Sequence, residues 1–360
     1  MTIAYYISAH GYGHGVRSCD IIRALLRIRP ALRLMIVSDL PQAFLANRLA
    51  PGAFEYRQAS FDIGMVQLDS IRVDIPATLE RVWKLCENRN ALKQRETEFL
   101  LSHDVRLVAA DIPSIPLEAA AQAGIPGIAV GNFSWDWIYS DYQGQDARWR
   151  GVCRVFAEGY AQSRLLLRLP FHAAMDVFPD IEDVPLLAVP GCARREEMAA
   201  LTGARPGVPW ILLSFTTLDW DEFALRSVER LTGYEFFTVL PLAWERRNIH
   251  AIDRTDVRFS DVLASCDAVI SKPGFGILSD CAVNRKPLIY AERTGFAEYP
   301  VLEAAIHRYL RHVHIPSARL YRGDLQQALD QIWKAPEPPE TLASGGDRLA
   351  AKRMLALLSS

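Results

Sequence analysis

The sequence predicts an α/β fold of two doubly wound parallel sheets, and three observations predict it. Short apolar runs of strand type alternate with amphipathic helical patterns along most of the chain. Two strand-to-helix junctions, Ser8–Ser18 and Ser271–Cys281, are glycine-rich turns. The length of 360 residues exceeds what one core comfortably supports and suits two domains of ordinary size.

In the first half, strands are expected at Ile3–Ile7, Arg33–Val37, Val105–Ala110 and Gly127–Val130. Between Asp20 and Ile28, residues Ile21, Ile22, Leu25 and Leu26 share one face, which predicts an amphipathic helix after the first glycine turn. A longer helix is expected from about Ile75 to Leu101. Pro179–Gly207 is rich in proline and glycine and reads as a linker. The alternation then resumes with strand Trp210–Ser214, helix Asp221–Leu231 and strand Glu235–Val239. Helix Phe259–Ser265, strand Ala268–Ile270, helix Ile277–Val283 and strand Pro287–Tyr290 follow. Ala335–Gly346 reads as a loop before a final helix, Arg348–Leu358. The expected division is a first domain over 1–190, a second over 191–346, and a terminal segment, 347–360, packing back towards the first. Two such sheets are expected to face each other across a cleft at their carboxyl edges, where ligands bind in these folds.

Composition narrows the function. Half the residues are hydrophobic, 23% are charged, and the formal net charge is −2, which argues against a nucleic-acid binder held by a basic surface. Six cysteines stand without a Cys-x-x-Cys pair, so neither a zinc ribbon nor a disulfide framework is indicated and a reducing, cytoplasmic setting is expected. Ile3–Ile7 is too short for a signal peptide, and no run is long enough to span a bilayer. No metal or other cofactor is expected. His307–His314 matches no standard metal spacing, and Asp219-Trp220-Asp221 reads as a helix start, with Asp219 and Glu222 as a capping box.

The first glycine turn resembles a dinucleotide fingerprint but lacks its third glycine, since Val16 follows Gly15, and a histidine inside the turn would crowd a pyrophosphate. The alternative is that His14 does chemistry. An imidazole titrates near neutrality and can take a proton from an alcohol when a carboxylate on its other nitrogen fixes the tautomer. Asp111, ending the run Arg106–Asp111 on the same sheet edge, is the expected partner. Both residues could instead cap helices. His10 has either a catalytic role or a structural or acceptor-contacting one, and Gly13 lies in the same turn. Trp135, Trp137 and Tyr139 form either an acceptor wall or part of the core, with Asp136 between the two tryptophans as a secondary carboxylate.

The second turn has the residues of an anion cradle. Pro273 ends a strand, Gly274 and Gly276 permit close backbone approach, and helix-start amides at Gly276, Ile277 and Leu278 can hold a diphosphate beside Lys272. Asp280 is placed to accept hydrogen bonds from a ribose; the other reading is an ordinary glycine turn, with Lys272 solvated and Asp280 on the outer helix face. Ser214 and Thr216, after the first strand of this half, and Glu298, in the loop Ala291–Pro300, would converge on the same ligand. No G-x-x-x-x-G-K-[ST] run occurs, so a Walker-type ATPase is excluded.

Taken together, Ala9–Arg17 ("AHGYGHGVR"), Asn132–Tyr139 ("NFSWDWIY") and Ser271–Asp280 ("SKPGFGILSD") resemble the glycosyltransferase-like N-terminal region of plant L-arabinokinases. Arg168–Pro170 and Asp183–Leu186 agree as well, and no counterpart of the kinase domain is expected in these residues. The resemblance implies a GT-B fold of two Rossmann-like domains and transfer of a sugar from a nucleotide-sugar donor, of the UDP kind, to an acceptor hydroxyl. By wider resemblance to plant UDP-glycosyltransferases it implies an inverting, metal-independent displacement with His14 as base and Asp111 as its partner. It also implies donor contacts at Lys272–Leu278, at Asp280 and at the backbone near Phe259, with Asn132 on the acceptor side. Lys272 and Gly276 replace the His and Asn of the plant donor motif, and Glu298 stands alone where those enzymes have an Asp-Gln pair, so the nucleotide and the sugar stay open. An epimerase or hydrolase on the same fold would act on donor without acceptor, and a non-catalytic sensor would bind donor unchanged.

Overall fold

The computed structural model describes residues 1–67 and 73–359; Ser360, the end of the expected terminal segment, lies outside them. It divides into two compact units. Unit 1 takes Met1–Val66, Asp74–Leu187 and the chain from Ala343 onward; unit 2 takes Ala188–Leu342 with Gln67 and Val73.

Unit 1 begins β1 (Thr2–Ile7), α1 (Tyr12–Ile28), β2 (Arg33–Ser38), α2 (Gln42–Ala46), β3 (Glu55–Gln58). It continues α3 (Ile75–Glu87), α4 (Arg89–Ser102), β4 (Val105–Asp111), α5 (Ile115–Gln122), β5 (Gly127–Gly131). It then runs α6 (Trp135–Ser140), α7 (Arg148–Tyr160), β6 (Leu165–Arg168) and β7 (Ile181–Asp183). Its sheet has the order β3-β2-β1-β4-β5-β6-β7, all parallel. Unit 2 begins α8 (Arg195–Thr202), β8 (Trp210–Ser214), α9 (Glu222–Glu229), β9 (Glu235–Val239), β10 (Ile249–Ile252), α10 (Phe259–Ser265). It continues β11 (Ala268–Ser271), α11 (Phe275–Asn284), β12 (Leu288–Tyr290), α12 (Tyr299–Tyr309), β13 (His312–His314), α13 (Ser317–Tyr321) and α14 (Gln326–Ile332). Its order, β10-β9-β8-β11-β12-β13, repeats the doubly wound pattern. In each sheet the order reverses between the first strand of the unit and its fourth, and that switch point is where such sheets bind ligands. The fold class is therefore the one the sequence predicts.

The central strands read as continuous apolar runs because helices cover both faces. Every residue of β1 is buried. On one face Ile3, Tyr5 and Ile7 meet Cys19, Ile21, Ile22 and Leu25 of α1. A last helix, α15 (Gly346–Ser359), adds Ala350, Ala351, Met354 and Leu358 to the same core. Each fully buried Leu, Ile or Met here is worth roughly 1.5–3 kcal/mol. Gly346 makes this return possible: a Cβ there would lie 2.0 Å from the Pro185 carbonyl oxygen.

Several boundaries differ from expectation. Helix α1 starts at Tyr12, not Asp20, so Gly13, His14 and Gly15 belong to its first turn. The long helix is two helices, broken at Asn88, whose side-chain Nδ2 donates to the Lys84 carbonyl at 2.8 Å and competes with the helical ladder. The Pro/Gly-rich linker contains β7 and α8. The cap of α9 is Asp221, which accepts from the Ala224 N–H at 2.8 Å, rather than Asp219.

Candidate active site

In unit 1 the site grows from the β1/β4 switch point. Ile7 and Asp111 are in register at the ends of these strands, and the Ser8 N–H donates to the Asp111 carbonyl at 2.7 Å. Helix α1 opens on Gly11, which offers no side-chain cap, and no acidic residue stands in the first turn. His14 therefore projects from the first turn of α1, 7% exposed, beside a fully buried Asp111. Their contact, His14 Nδ1 to Asp111 Oδ1, is 2.7 Å.

Asp111 has three further donors. Arg17 gives Nε to Oδ2 at 2.7 Å and Nη2 to Oδ1, and the Ser18 hydroxyl reaches Oδ2 at 3.0 Å. Burial alone would raise this carboxyl; the Arg17 guanidinium, and then His14, outweigh it and hold it at about 2. An ionised carboxylate only accepts, so the proton in the short contact sits on His14 Nδ1. Arg17 Nη2 lies 3.0 Å from that same nitrogen, and two donors facing each other make a Coulombic contact, not a hydrogen bond. The assignment leaves Nε2 as the nitrogen that gains or loses a proton. Asn132, just beyond β5, accepts from Arg17 Nη1 and donates to the Pro170 carbonyl. Phe133 packs edge-on to the His14 ring at 5.8 Å.

A second cluster surrounds His10, whose Nδ1 accepts from the Met65 N–H at 3.2 Å and whose ring meets Trp135 edge-on at 5.3 Å. Trp135 is 1% exposed, stacks on Tyr139, and donates its indole N–H to Asp62 at 2.9 Å. Of the two readings open for Trp135 and Tyr139, the structure gives core. Burial pushes the Asp62 carboxyl up and does the same to Asp136, which lies half-buried in the first turn of α6. Gly64 makes room for the His10 ring. Its φ is +69°, and a Cβ there would lie 2.1 Å from His10 Nδ1. Gly64→Ala is expected to lose about 1–3 kcal/mol in urea denaturation through backbone strain and displacement of His10. Gly15 is likewise structural, hemmed by Phe44 and Leu40, whereas Gly13 has nothing within 4 Å of a Cβ.

In unit 2 the strand ends Ser214, Ser271 and Tyr290 lie side by side in register, so three loops leave one edge of the sheet together. The first carries Ser214 and the exposed Thr216; the Ser271 hydroxyl donates to the Ser214 carbonyl at 2.8 Å. The second is the Lys272–Gly274 turn into α11, which starts at Phe275, two residues before the expected Ile277. Its cap Gly274 has extended backbone (φ −166°, ψ 150°), nearly that of Gly11 in α1 (φ −168°, ψ 153°), again with no side-chain cap and no acidic residue in the first turn. The amides of Gly276 and Ile277 thus belong to an uncapped helix start, Leu278 is buried behind them, and Asp280 is half-buried in the second turn. Phe259 opens α10. The third loop carries Glu298, paired with Arg293 at 3.3 Å. Arg293 also donates to the Pro273 carbonyl at 3.3 Å and lies 3.2 Å over the Phe296 ring, tying the second loop to the third.

Sequence reasoning missed Arg17, Asp62 and Arg293. Only Arg17 had a readable signal: it lies three residues after His14, on the same helix face once the helix is started at Tyr12.

Two Rossmann-like units with these switch points define the GT-B glycosyltransferase fold, and the comparisons agree. The structure matches the glycotransferase of kitacinnamycin with a TM-score of 0.64 and 15% identity, over 99% of this chain and 94% of that one. It matches a ugt transferase from Siraitia grosvenorii, solved in complex with UDP, with a TM-score of 0.60 and 10% identity over the whole of both chains. In sequence, the chain is 28% identical over 343 residues to L-arabinokinase of Arabidopsis thaliana, covering 92% of this chain. It spans about a third (32%) of that protein's length. No family model matches the chain.

Proposed function

We propose that the protein is a glycosyltransferase that moves a sugar from a nucleotide-sugar donor to an acceptor hydroxyl by a single, inverting, metal-independent displacement. The observation that carries the reading is the His14–Asp111 pair at the switch point of unit 1, on a fold shared with glycosyltransferases. Nε2 of His14 takes the acceptor proton as the hydroxyl oxygen attacks the anomeric carbon. The bond from that carbon to the diphosphate oxygen breaks, and the charge growing on the diphosphate meets Lys272 and the amides of Gly276 and Ile277; the expected Leu278 amide is not available, because its N–H donates to the Gly274 carbonyl at 3.1 Å. Asp280 holds the ribose, the backbone at Phe259 the base, Ser214 and Thr216 the phosphates, and Glu298 a sugar hydroxyl. His10, Gly13, Asn132 and Asp136 line the acceptor side; Trp135 acts there only through the ring of His10. UDP, bound in the Siraitia grosvenorii structure, is the first nucleotide to try. No helix among the described residues is long and apolar enough to cross a membrane, and the cysteines are free thiols, so we read the chain as cytoplasmic.

Calorimetry against UDP, GDP, ADP and TDP and their sugars tests donor binding. Product analysis with and without added acceptors then separates transfer from epimerisation or hydrolysis, and binding without turnover would mark a sensor. Gly276 sharpens the test. A Cβ there meets nothing within 4 Å, so the fold does not require glycine, and the Gly276→Ala variant should be as stable as wild type or up to about 1 kcal/mol more so. The same methyl would stand where a phosphate must approach the amides, and nucleotide affinity should fall about tenfold or more. Unaltered affinity would remove this turn from the donor site.

A further inference from the structure

Asp111 is satisfied twice over by positive charge. A His–Asp pair on its own leaves the imidazole as the only group able to balance the buried carboxylate, and that uncompensated negative charge favours the protonated ring. Here Arg17 occupies both carboxylate oxygens, and His14 touches only one. The three side chains are nearly closed to solvent, at 0% for Asp111, 8% for His14 and 13% for Arg17, so water does little to soften the balance.

We propose that Arg17 is the standing counter-ion of Asp111, so that His14 need not become a cation to satisfy the carboxylate and stays an uncharged base at neutral pH. Arg17 is thus a positioning residue acting through Asp111 on His14. The charge count supports this role: Asp111 and Arg17 cancel, and a neutral ring completes a neutral cluster. Of the other groups facing this cluster, one, Asp62, is a further acid. Tyr5 of β1 is a buried phenol pushed up by burial, Ser18 and Asn132 are neutral, and Phe133 is apolar. Asp62, from the segment between β3 and α3, is the remaining acid and interacts electrostatically with His14; burial pushes its carboxyl up, while Trp135 donates to it at 2.9 Å. One turn further along α1, Asp20 is paired with Arg23. Arg17 lies outside the usual picture of a two-residue dyad because it reaches Asp111 from the helix that carries the histidine.

The importance of this charge arrangement for turnover rests on reading His14 as the acceptor base, but the test needs no substrate. In protein labelled with ¹⁵N-histidine, the His14 ring signals are identified by their loss in His14→Gln. At neutral pH the wild type should show a protonated Nδ1 and a bare Nε2. In Arg17→Gln the Nε2 resonance should move to that of a protonated nitrogen, as His14 takes over the counter-ion's role. Arg17→Lys, which keeps the charge, should restore the bare Nε2. A doubly protonated wild-type ring overturns the proposal, as does a bare Nε2 in Arg17→Gln with native circular dichroism. Should Arg17→Gln not fold, the wild type and Arg17→Lys decide it, since double protonation in either is fatal. A glycosyltransferase reading that fails on the nucleotide panel leaves these spectra unaffected.

Discussion

Replacing His14 with alanine should lower sugar transfer by about a thousandfold while nucleotide affinity stays within about twofold of wild type. The asymmetry follows from where the residue lies. His14 belongs to unit 1, in the first turn of α1, whereas the glycine turn with Lys272 belongs to unit 2 and makes its own helix start. On the proposed function, removing the imidazole takes away the proton acceptor and leaves the glycine turn of unit 2 unchanged. The measurement is turnover on whichever donor calorimetry selects, paired with that donor's dissociation constant. Equal loss of both would mean that His14 organises the fold rather than the chemistry. Unchanged turnover would discard it as the base.

Removing the Asp111 carboxylate should have the largest effect on stability, about 3–5 kcal/mol for Asp111→Ala in urea denaturation. The substitution strands the Arg17 guanidinium, the His14 Nδ1–H and the Ser18 hydroxyl around an emptied buried position. The pH dependence of the wild type carries the same signature. The carboxyl is held at about 2 against an ordinary 3.8, so its contribution is complete above the unfolded value and is lost as pH falls from about 3.8 through about 2. That loss should reach about 2 kcal/mol and be absent from an Asp111→Asn variant that still folds. A wild type as stable at pH 2 as at pH 5 would contradict the arrangement.

Much of this architecture can be read in the sequence, for identifiable reasons. The strands that carry the site are largely buried on both faces, so β1, β4, β5, β8 and β11 appear as mainly apolar runs, and His14, Asp111 and Lys272 follow directly from where those runs end. The edge strands were not legible: β3 is Glu-Tyr-Arg-Gln and β7 Ile-Glu-Asp, too short and polar to stand out from loop. Arg17 was hidden by the glycines, which read as turn and postponed the helix to Asp20. Asp62 and the Met65 amide reach the His10–Trp135 cluster from far along the chain, and no local pattern announces such a contact. The block Asn132–Tyr139 left wall and core open because its aromatics alternate with polar residues, and only tertiary packing of Tyr139 against Trp149 and Phe156 decides it.

The path of the chain has a consequence for synthesis. Leu186 bridges Ser344, and its N–H donates to the Ala343 carbonyl at 2.8 Å, so departure from unit 1 and return to it are adjacent points. The half translated first is consequently completed last: a nascent chain must produce all of unit 2 before α15 can seal the apolar face of the helix bearing His14. Until then that face stays uncovered, and a lesion in α15 would be felt at α1, more than three hundred residues earlier in the chain.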